Sequence, residues 1–396
     1  MSRFYRNSQL DGDRVRLLLL LPGIAEEPIR CRTKEVSLSD SPRYSAVSYT
    51  WGVAEDGTFN VSLNDQDFQV QRNLRSVLKR LRRPDEGRVL WIDAICINQS
   101  NIPERNQQVG VMGRIYAQAE CVLAWLGEAT DGSNLAMQTL RKFDDTKSAE
   151  NMSTATDWRV DGQYDQDDLA LVEMLCNREY WQRTWVIQEV LLAQKLEIIC
   201  GGYSVSWKSF AAFTRHLQHH GLKTFSPNYA LSSAVGREPS HETYMPYDLT
   251  ALKQTSAFRI LDHKLDGHSF ANLSEVLEIS ASSKCRDPRD KVYAVLALID
   301  AEATVRSLVI DYRKRLRQLY LDVMKSCEAD HTRDVSSDLF GAAHELAEFA
   351  IVLKGALGLA RPELPPRQQK LQSSASKRII PRVCRVDWYN KGFGRR

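Results

Sequence analysis

The 396-residue chain has no C-x-x-C pair, no glycine-rich phosphate loop, no H-E-x-x-H and no long apolar run. Each absence removes a class of protein. The eight cysteines, Cys31, Cys96, Cys121, Cys176, Cys200, Cys285, Cys327 and Cys384, are dispersed along the chain. That argues against a zinc site and against a small disulfide framework. Several lie in apolar strand-like runs such as "DAICIN" and "EIICGG", where a reduced cysteine behaves as a small hydrophobe and a reducing compartment is expected. Without G-x-x-x-x-G-K-[ST], G-x-G-x-x-G or H-E-x-x-H, a Walker-type NTPase, a standard dinucleotide fold and a zincin lack support. The one leucine block, "VRLLLLLPG", is far shorter than the ~20 apolar residues a membrane helix needs and reads as a buried strand. The opening "MSRFYRNSQLDGDR" is too polar for a secretory signal. A cytoplasmic protein with no membrane span is expected.

Net charge is also small, at +3. It is unevenly placed: from Arg361 to Arg396 there are ten Lys/Arg against two acids, so the rest of the chain is acidic. A basic tail with Pro and Ser can touch anionic partners. More often it is simply solvated, so nucleic acid is the weaker expectation. Hydrophobic residues at 43% suffice for a real buried core. The length fits one large domain with appendages, or two to three smaller ones.

What is present alternates. Residues 14–21 and "YSAVSYT" (44–50) read as strands, and "FNVSLNDQDFQVQ" as a hairpin turning at Asn64-Asp65. Leu74, Val77, Leu78 and Leu81 have helical spacing. "RVLWIDAICIN" (88–98) is a near-continuous apolar run, as in a strand covered on both faces. Pro103 and Glu104 suit a helix start whose buried stripe is Val109, Met112, Tyr116 and Ala119; "CVLAWLG" is the next strand. This alternation argues for a parallel α/β sheet. A polar insertion follows at about 144–168, then a helix over 169–193 broken near Asn177–Glu179, then the strand "KLEIICGG". The expected division is an N-terminal strand region (1–43), a core (44–205), a mostly helical continuation (206–330), and a late helix with a basic tail (331–396).

Four constellations stand out. "SYTWG" places Tyr49, Trp51 and a flexible Gly at the carboxyl edge of a strand, where ligands bind in open α/β folds; the alternative is a packed Trp and a turn Gly. In "LWIDAICINQ", Asp93 interrupts an apolar strand, and Asn98 and Gln99 offer amides at its end. A buried carboxylate must be paired, so Asp93 either orients a ligand or an Arg, or caps a loop. In "RTWVIQEVLLA" (183–193), Glu189 is the lone acid of an apolar helix, one turn after Trp185. It is either a surface acid or a carboxylate in a pocket with a raised pKa. His216 and His220 are at i, i+4, but no acid or Cys accompanies them, so no metal site is expected.

Together, "YSAVSYTWG" (44–52), "LWIDAICINQ" (90–99) and "RTWVIQE" (183–189) resemble the fungal heterokaryon incompatibility (HET) domain, in the family's own order. "ERNQQVGVMGRIYAQAECVLAWLG" (104–127), "CRDPRDKVYAVLAL" (285–298) and "IDY" (310–312) are also similar to it. The resemblance implies a role in non-self recognition, in which contact between genetically different cells triggers growth arrest or cell death. It further implies remote similarity to TIR domains, and so a flavodoxin/TIR-like parallel sheet flanked by helices, with a helical C-terminal extension. Some TIR domains cleave NAD at the nicotinamide bond, using a glutamate in a Trp-x-x-x-Glu helix after the third strand. Trp185 and Glu189 have that spacing.

By this resemblance Glu189 is the candidate catalytic residue of an NAD(P) glycohydrolase. Tyr49, Trp51, Asp93, Asn98, Arg183 and Trp185 are the candidate binding residues. NAD would be a substrate, with no permanently bound cofactor. Cleaving the N-glycosidic bond builds positive charge on the ribose, and a carboxylate beside it would stabilise that charge. Self-association or a second incompatibility protein is the expected partner. Near the end only "RVDW" (385–388) resembles the Trp-x-Pro-Asp-Trp segment of longer members, and no NACHT-like motif or WD repeat occurs; a stand-alone effector or a truncated product is expected. The competing reading is a non-enzymatic interaction module of the same fold, with Glu189 structural. Convergence of Glu189, Trp51 and Asp93 on one open cleft would favour the enzyme. A buried or scattered arrangement would favour the module.

Overall fold

A computed structural model describes residue 5 and residues 10–52, 57–143, 166–220, 250–266, 270, 272–280, 282–299, 308–333 and 339–359. The expected insertion (most of it), the irregular stretch after 220 and the basic tail lie outside these residues.

Nine strands form one sheet: β1 (Arg14–Leu20), β2 (Arg30–Ser37), β3 (Ser45–Tyr49), β4 (Thr58–Leu63), β5 (Gln66–Gln71), β6 (Arg88–Trp91), β7 (Cys121–Trp125), β8 (Leu196–Cys200) and β9 (Tyr203–Ser206). Their spatial order is β5-β4-β2-β1-β6-β3-β7-β8-β9. The sheet is mixed, which corrects the expectation of a parallel one. Only the centre, β6-β3-β7-β8, runs parallel throughout. β1 pairs antiparallel with both β2 and β6, and β9 returns antiparallel on β8. The reason is connection length. The parallel strands are joined by helical crossovers, whereas β1–β2, β4–β5 and β8–β9 are joined by short links that can only bring the chain back antiparallel. Strand β2, "RCRTKEVS", carries too many charges to announce itself. It pairs along β1 from Arg14–Ser37 to Leu20–Cys31.

The β4–β5 hairpin turns at Asn64 and Asp65, both left-handed at φ 50° and 60°, a conformation that Asn and Asp tolerate. Helix α1 (Arg72–Leu81) buries Leu74, Val77, Leu78 and Leu81, the predicted stripe. The apolar run 88–98 does not stay extended. β6 stops at Trp91, and α2 (Asp93–Cys96) makes one helical turn. Helix α3 (Ile102–Gln118) starts at Asn101, whose side chain accepts from the Glu104 N–H, with Pro103 in the first turn. Val109, Met112, Ile115, Tyr116 and Ala119 are buried beneath it. Gly113 lets α3 approach residue 297 closely, since a Cβ there would meet Ala297 Cβ at 2.4 Å.

After β7 come α4 (Ser133–Arg141), α5 (Gln166–Cys176), a 3₁₀ turn at Glu179–Gln182 and α6 (Thr184–Leu191). The break expected near Asn177 is therefore real. Helix α7 (Trp207–His220) follows β9, and the side chains of His216 and His220 are outside the described ones. Among the described residues six further helices follow, including α9 (Ser256–Asp266), α10 (Leu273–Ser280), α11 (Asp290–Tyr293) and α13 (Leu339–Ala356). No described helix is long and apolar enough to cross a membrane.

The parallel strands were made in the order β3, β6, β7, β8 and lie in space as β6-β3-β7-β8. The direction of winding therefore reverses between β3 and β7. Crevices at the carboxyl ends of strands flanking such a reversal are where open α/β sheets bind ligands.

Candidate functional site

The carboxyl end of β3 is where the predicted residues meet. The chain enters α6 through Arg183, which bridges Lys284 in parallel, with the Thr184 N–H donating to Lys284 O at 3.0 Å. The "KCRD" segment thus pins the start of α6. Arg183 Nη1 then donates to the Tyr49 carbonyl at the tip of β3. The same nitrogen lies 3.9 Å from Glu189 Oε2.

Glu189 is neither on the surface nor in an open pocket. It is 1% exposed. Its carboxylate accepts from Ser48 Oγ, which also shares a 2.7 Å hydrogen bond with the Tyr180 hydroxyl. Tyr116 of α3 lies alongside, its hydroxyl donating to the Val47 carbonyl at 3.4 Å, and it opposes the rise of the Glu189 carboxyl. Burial pushes the Glu189 carboxyl up; Arg183 and Ser48 oppose that shift. Burial acts to lower the Arg183 guanidinium, but Glu189 and then Asp93 outweigh it and leave it raised.

Asp93 lies close enough for its charge to act on Arg183. Its Oδ2 accepts from Trp51 Nε1 at 2.8 Å, and its Oδ1 from the Ala94 N–H at 2.7 Å. Burial raises its carboxyl, opposed by Arg183, Trp51 and Ala94. Asp93 is the first residue of α2, and its charge acts with that of Glu189 to raise the Arg183 guanidinium. The Arg183 guanidinium, bonded to the Tyr49 carbonyl and paired with Glu189, ties the start of α6 to the end of β3.

Tyr49, Trp51, Asp93, Arg183 and Glu189 thus converge. Asn98 and Trp185 do not join them. Asn98 is held towards α3: its N–H donates to Glu104 Oε1 at 2.8 Å, and its side chain accepts from Ser100 at 2.8 Å. Glu104 in turn pairs with the buried Arg16 at 3.1 Å. Trp185 lies beside Asp290 of α11 and opposes the upward shift that burial imposes on its carboxyl. The i, i+4 spacing aligned Trp185 with Glu189 on paper, but the docking of α11 against α6 gives its indole a different partner. Three hydroxyl residues of the cluster escaped the sequence reading: Ser48, Tyr116 and Tyr180. A buried Ser immediately before Tyr-Thr-Trp-Gly was the available signal, because an inward polar group demands a partner.

Two hollows adjoin the cluster. A small one of about 170 Å³ is lined by Tyr49, Trp51, Gln71, Ala94 and Gln99 among others. A larger one, about 470 Å³, opens between the ends of β3 and β7, at Thr50 and Gly52 on one side and Leu126 and Gly127 on the other. Glu189 lines neither. Tyr180 does line the larger cleft, so the chain Tyr180–Ser48–Glu189 runs from its wall into the buried carboxylate. No cluster of three or more metal-ligating side chains occurs among the described residues.

Residues 44–189 match the family model for the heterokaryon incompatibility protein (HET) domain. That span contains all the residues just described except those of the 284–290 segment and Arg16. The chain is also 30% identical to heterokaryon incompatibility protein 6, OR allele, of Neurospora crassa, over 50% of this chain and 35% of that protein. It therefore spans about a third of that relative's length. No solved structure matches it.

Proposed function

Because residues 44–189 make up a heterokaryon incompatibility domain, we propose that the chain is an effector of fungal non-self recognition that works in the cytoplasm through association, with itself or with a second incompatibility protein. The observation that carries this reading is the closure around Glu189. Its carboxylate is buried and engaged by Ser48, Tyr116 and Arg183. A catalytic carboxylate must reach its substrate, and this one is placed as a clamp. The convergence that an enzyme requires is present, but the open cleft is not. By that criterion the interaction module is the better reading.

A second reading, cleavage of NAD, is favoured by one observation. The order of the parallel strands is that of flavodoxin-like sheets, the class to which TIR domains belong. The larger cleft lies at the winding reversal, separated from Glu189 by Tyr180 and Ser48. Rotation of Tyr180 would connect the two.

One experiment separates these readings: nicotinamide release from NAD by the purified chain, as isolated and as forced oligomers, beside Glu189→Gln. No release from either form of the wild type supports the association reading. Release by wild type that a folded Glu189→Gln loses would replace it with the enzymatic one.

A further inference from the structure

A groove of about 930 Å³ runs between α3, the end of α6 and the chain around Ala297 and Ile310. Its walls are mostly apolar, with Val109 and Val111 of α3, Leu192, Leu296, Leu308 and Ile310. Val309 stands on its edge, 72% exposed, and a large hydrophobe left open beside such a groove marks a contact surface. Two features of the lining have no use within the fold. Gln188 is 2% exposed, yet its Nε2 has no hydrogen-bond partner among the described residues. A buried donor left unpaired is costly, and a carbonyl arriving from outside would satisfy it. Gly110 lies in the interior of α3, where glycine weakens a helix. Gly113 is explained by Ala297, but a Cβ at Gly110 would meet nothing within 4 Å. Open space over a helical glycine admits the close approach of another backbone.

The rim is basic. Arg114 and Arg313 line it against one carboxylate, Asp311, which already accepts from Asn106 Nδ2 at 3.1 Å and from the Arg313 N–H at 2.9 Å. The chain runs on from the rim through Lys314, Arg315 and Arg317. Arg313, Arg315 and Arg317 are exposed and make no ion pair with a described residue, while Lys314 pairs with Asp322. Charge complementarity therefore asks for an occupant that is acidic as well as apolar. Residues 144–165 have that chemistry. They carry six acids against Lys147 and Arg159, together with Met152, Trp158, Val160 and Tyr164. Of the segments outside the described residues this is the most acidic, whereas the long tail beyond 359 is basic. The segment leaves after α4 and returns at α5, which pack together. A stretch of that length can project by roughly 35 Å.

We infer that the groove between α3 and α6 receives the acidic segment 144–165 of a second copy of the chain. Its apolar side chains lie over Gly110 and against Val309, one of its carbonyls accepts from Gln188 Nε2, and its carboxylates meet the arginines of the rim. The inference rests on the association reading and gives that reading a surface. Gln188 directly precedes Glu189, so the contact is made on the helix that the buried carboxylate holds to β3.

The test is sedimentation velocity of the full chain over a range of concentrations, with a peptide of residues 144–165 as competitor. Self-association is expected, weakening as salt is raised and reversed by the peptide. A chain whose residues 144–165 are replaced by Gly-Ser repeats of equal length should stay monomeric and bind the peptide saturably. Gly110→Leu fills the open space with a better helix former. It should weaken peptide binding and self-association about tenfold or more, with a melting temperature no lower than wild type, which separates the groove from the fold. Arg313→Glu with Arg315→Glu should weaken binding and remove most of its salt dependence. Self-association that Gly110→Leu or the replaced segment leaves intact overturns the inference and keeps the association reading. A full chain that stays monomeric at every concentration also overturns it and leaves that reading to a second incompatibility protein. Peptide binding by the replaced chain would then mean that the segment covers its own groove. No peptide binding means that other residues, such as 300–307 beside Leu308, fill the groove, and overturns the inference as well.

Discussion

Replacing Glu189 by Ala is the sharpest perturbation of the clamp. It removes the partner of Ser48 and leaves Arg183 with Asp93 alone as counter-charge. Breaking a buried pair by deleting one member costs about 3–5 kcal/mol, because the remaining charge is left desolvated. Here the lower end applies: Arg183 is 18% exposed, and Asp93 and the Tyr49 carbonyl still hold it. The expected loss is therefore about 3 kcal/mol, which lowers the melting temperature by roughly 6–12 °C in a domain of this size. Glu189→Gln keeps an oxygen for Ser48 and costs less, about 1–2 kcal/mol. The double variant Arg183→Met/Glu189→Leu removes both charges at once. It should fall well short of the sum of the single losses, with a coupling of at least ~1 kcal/mol. Urea unfolding of the four proteins measures all of this. A Glu189→Ala protein within about 0.5 kcal/mol of wild type would refute the clamp. The carboxylate would then be held at a cost that stability does not repay, and function would have to explain it. The same numbers decide how activity assays are designed. Glu189→Ala confounds unfolding with loss of chemistry, whereas Glu189→Gln does not.

Two further outcomes follow from neighbouring groups. Burial raises the Asp290 carboxyl to about 6, against the opposing influence of the Tyr312 hydroxyl bonded to it and of Trp185 beside it. A carboxyl raised above its unfolded value of about 3.9 contributes stability that is full below that pH and is lost as pH rises through about 6. The loss amounts to roughly 3 kcal/mol, and Asp290→Asn should flatten the slope of stability between about pH 4 and 6.5; an unchanged slope would place the titration elsewhere. Trp51→Phe keeps the ring but removes the donor to Asp93, and thermal melts should show a loss of about 1–2 kcal/mol, with no measurable loss arguing that the bond does not tie the end of β3 to α2.

Much of the local structure follows from the chain alone, because short-range physics sets it. The spacing of Leu74, Val77, Leu78 and Leu81 determines α1, Asn64-Asp65 determines the hairpin, and Asn101 with Pro103 determines the start of α3. The motif residues Tyr49, Trp51, Asp93, Arg183 and Glu189 were singled out by the family resemblance, because local pattern alone left a packed Trp and a surface acid open as alternatives. Tertiary structure decided the rest. Whether β1 and β2 run with or against the central strands depends on pairing between distant segments, which periodicity does not encode. The strand read through Asp93 became a single helical turn, because Trp51, remote in sequence, holds that carboxylate where the chain bends. Trp185 turned to Asp290 because α11 docks on α6. And the question posed by a lone acid in "RTWVIQEVLLA" had no local answer. Only the approach of Ser48, Tyr116 and Arg183 from three separate elements makes Glu189 a buried clamp instead of a surface charge.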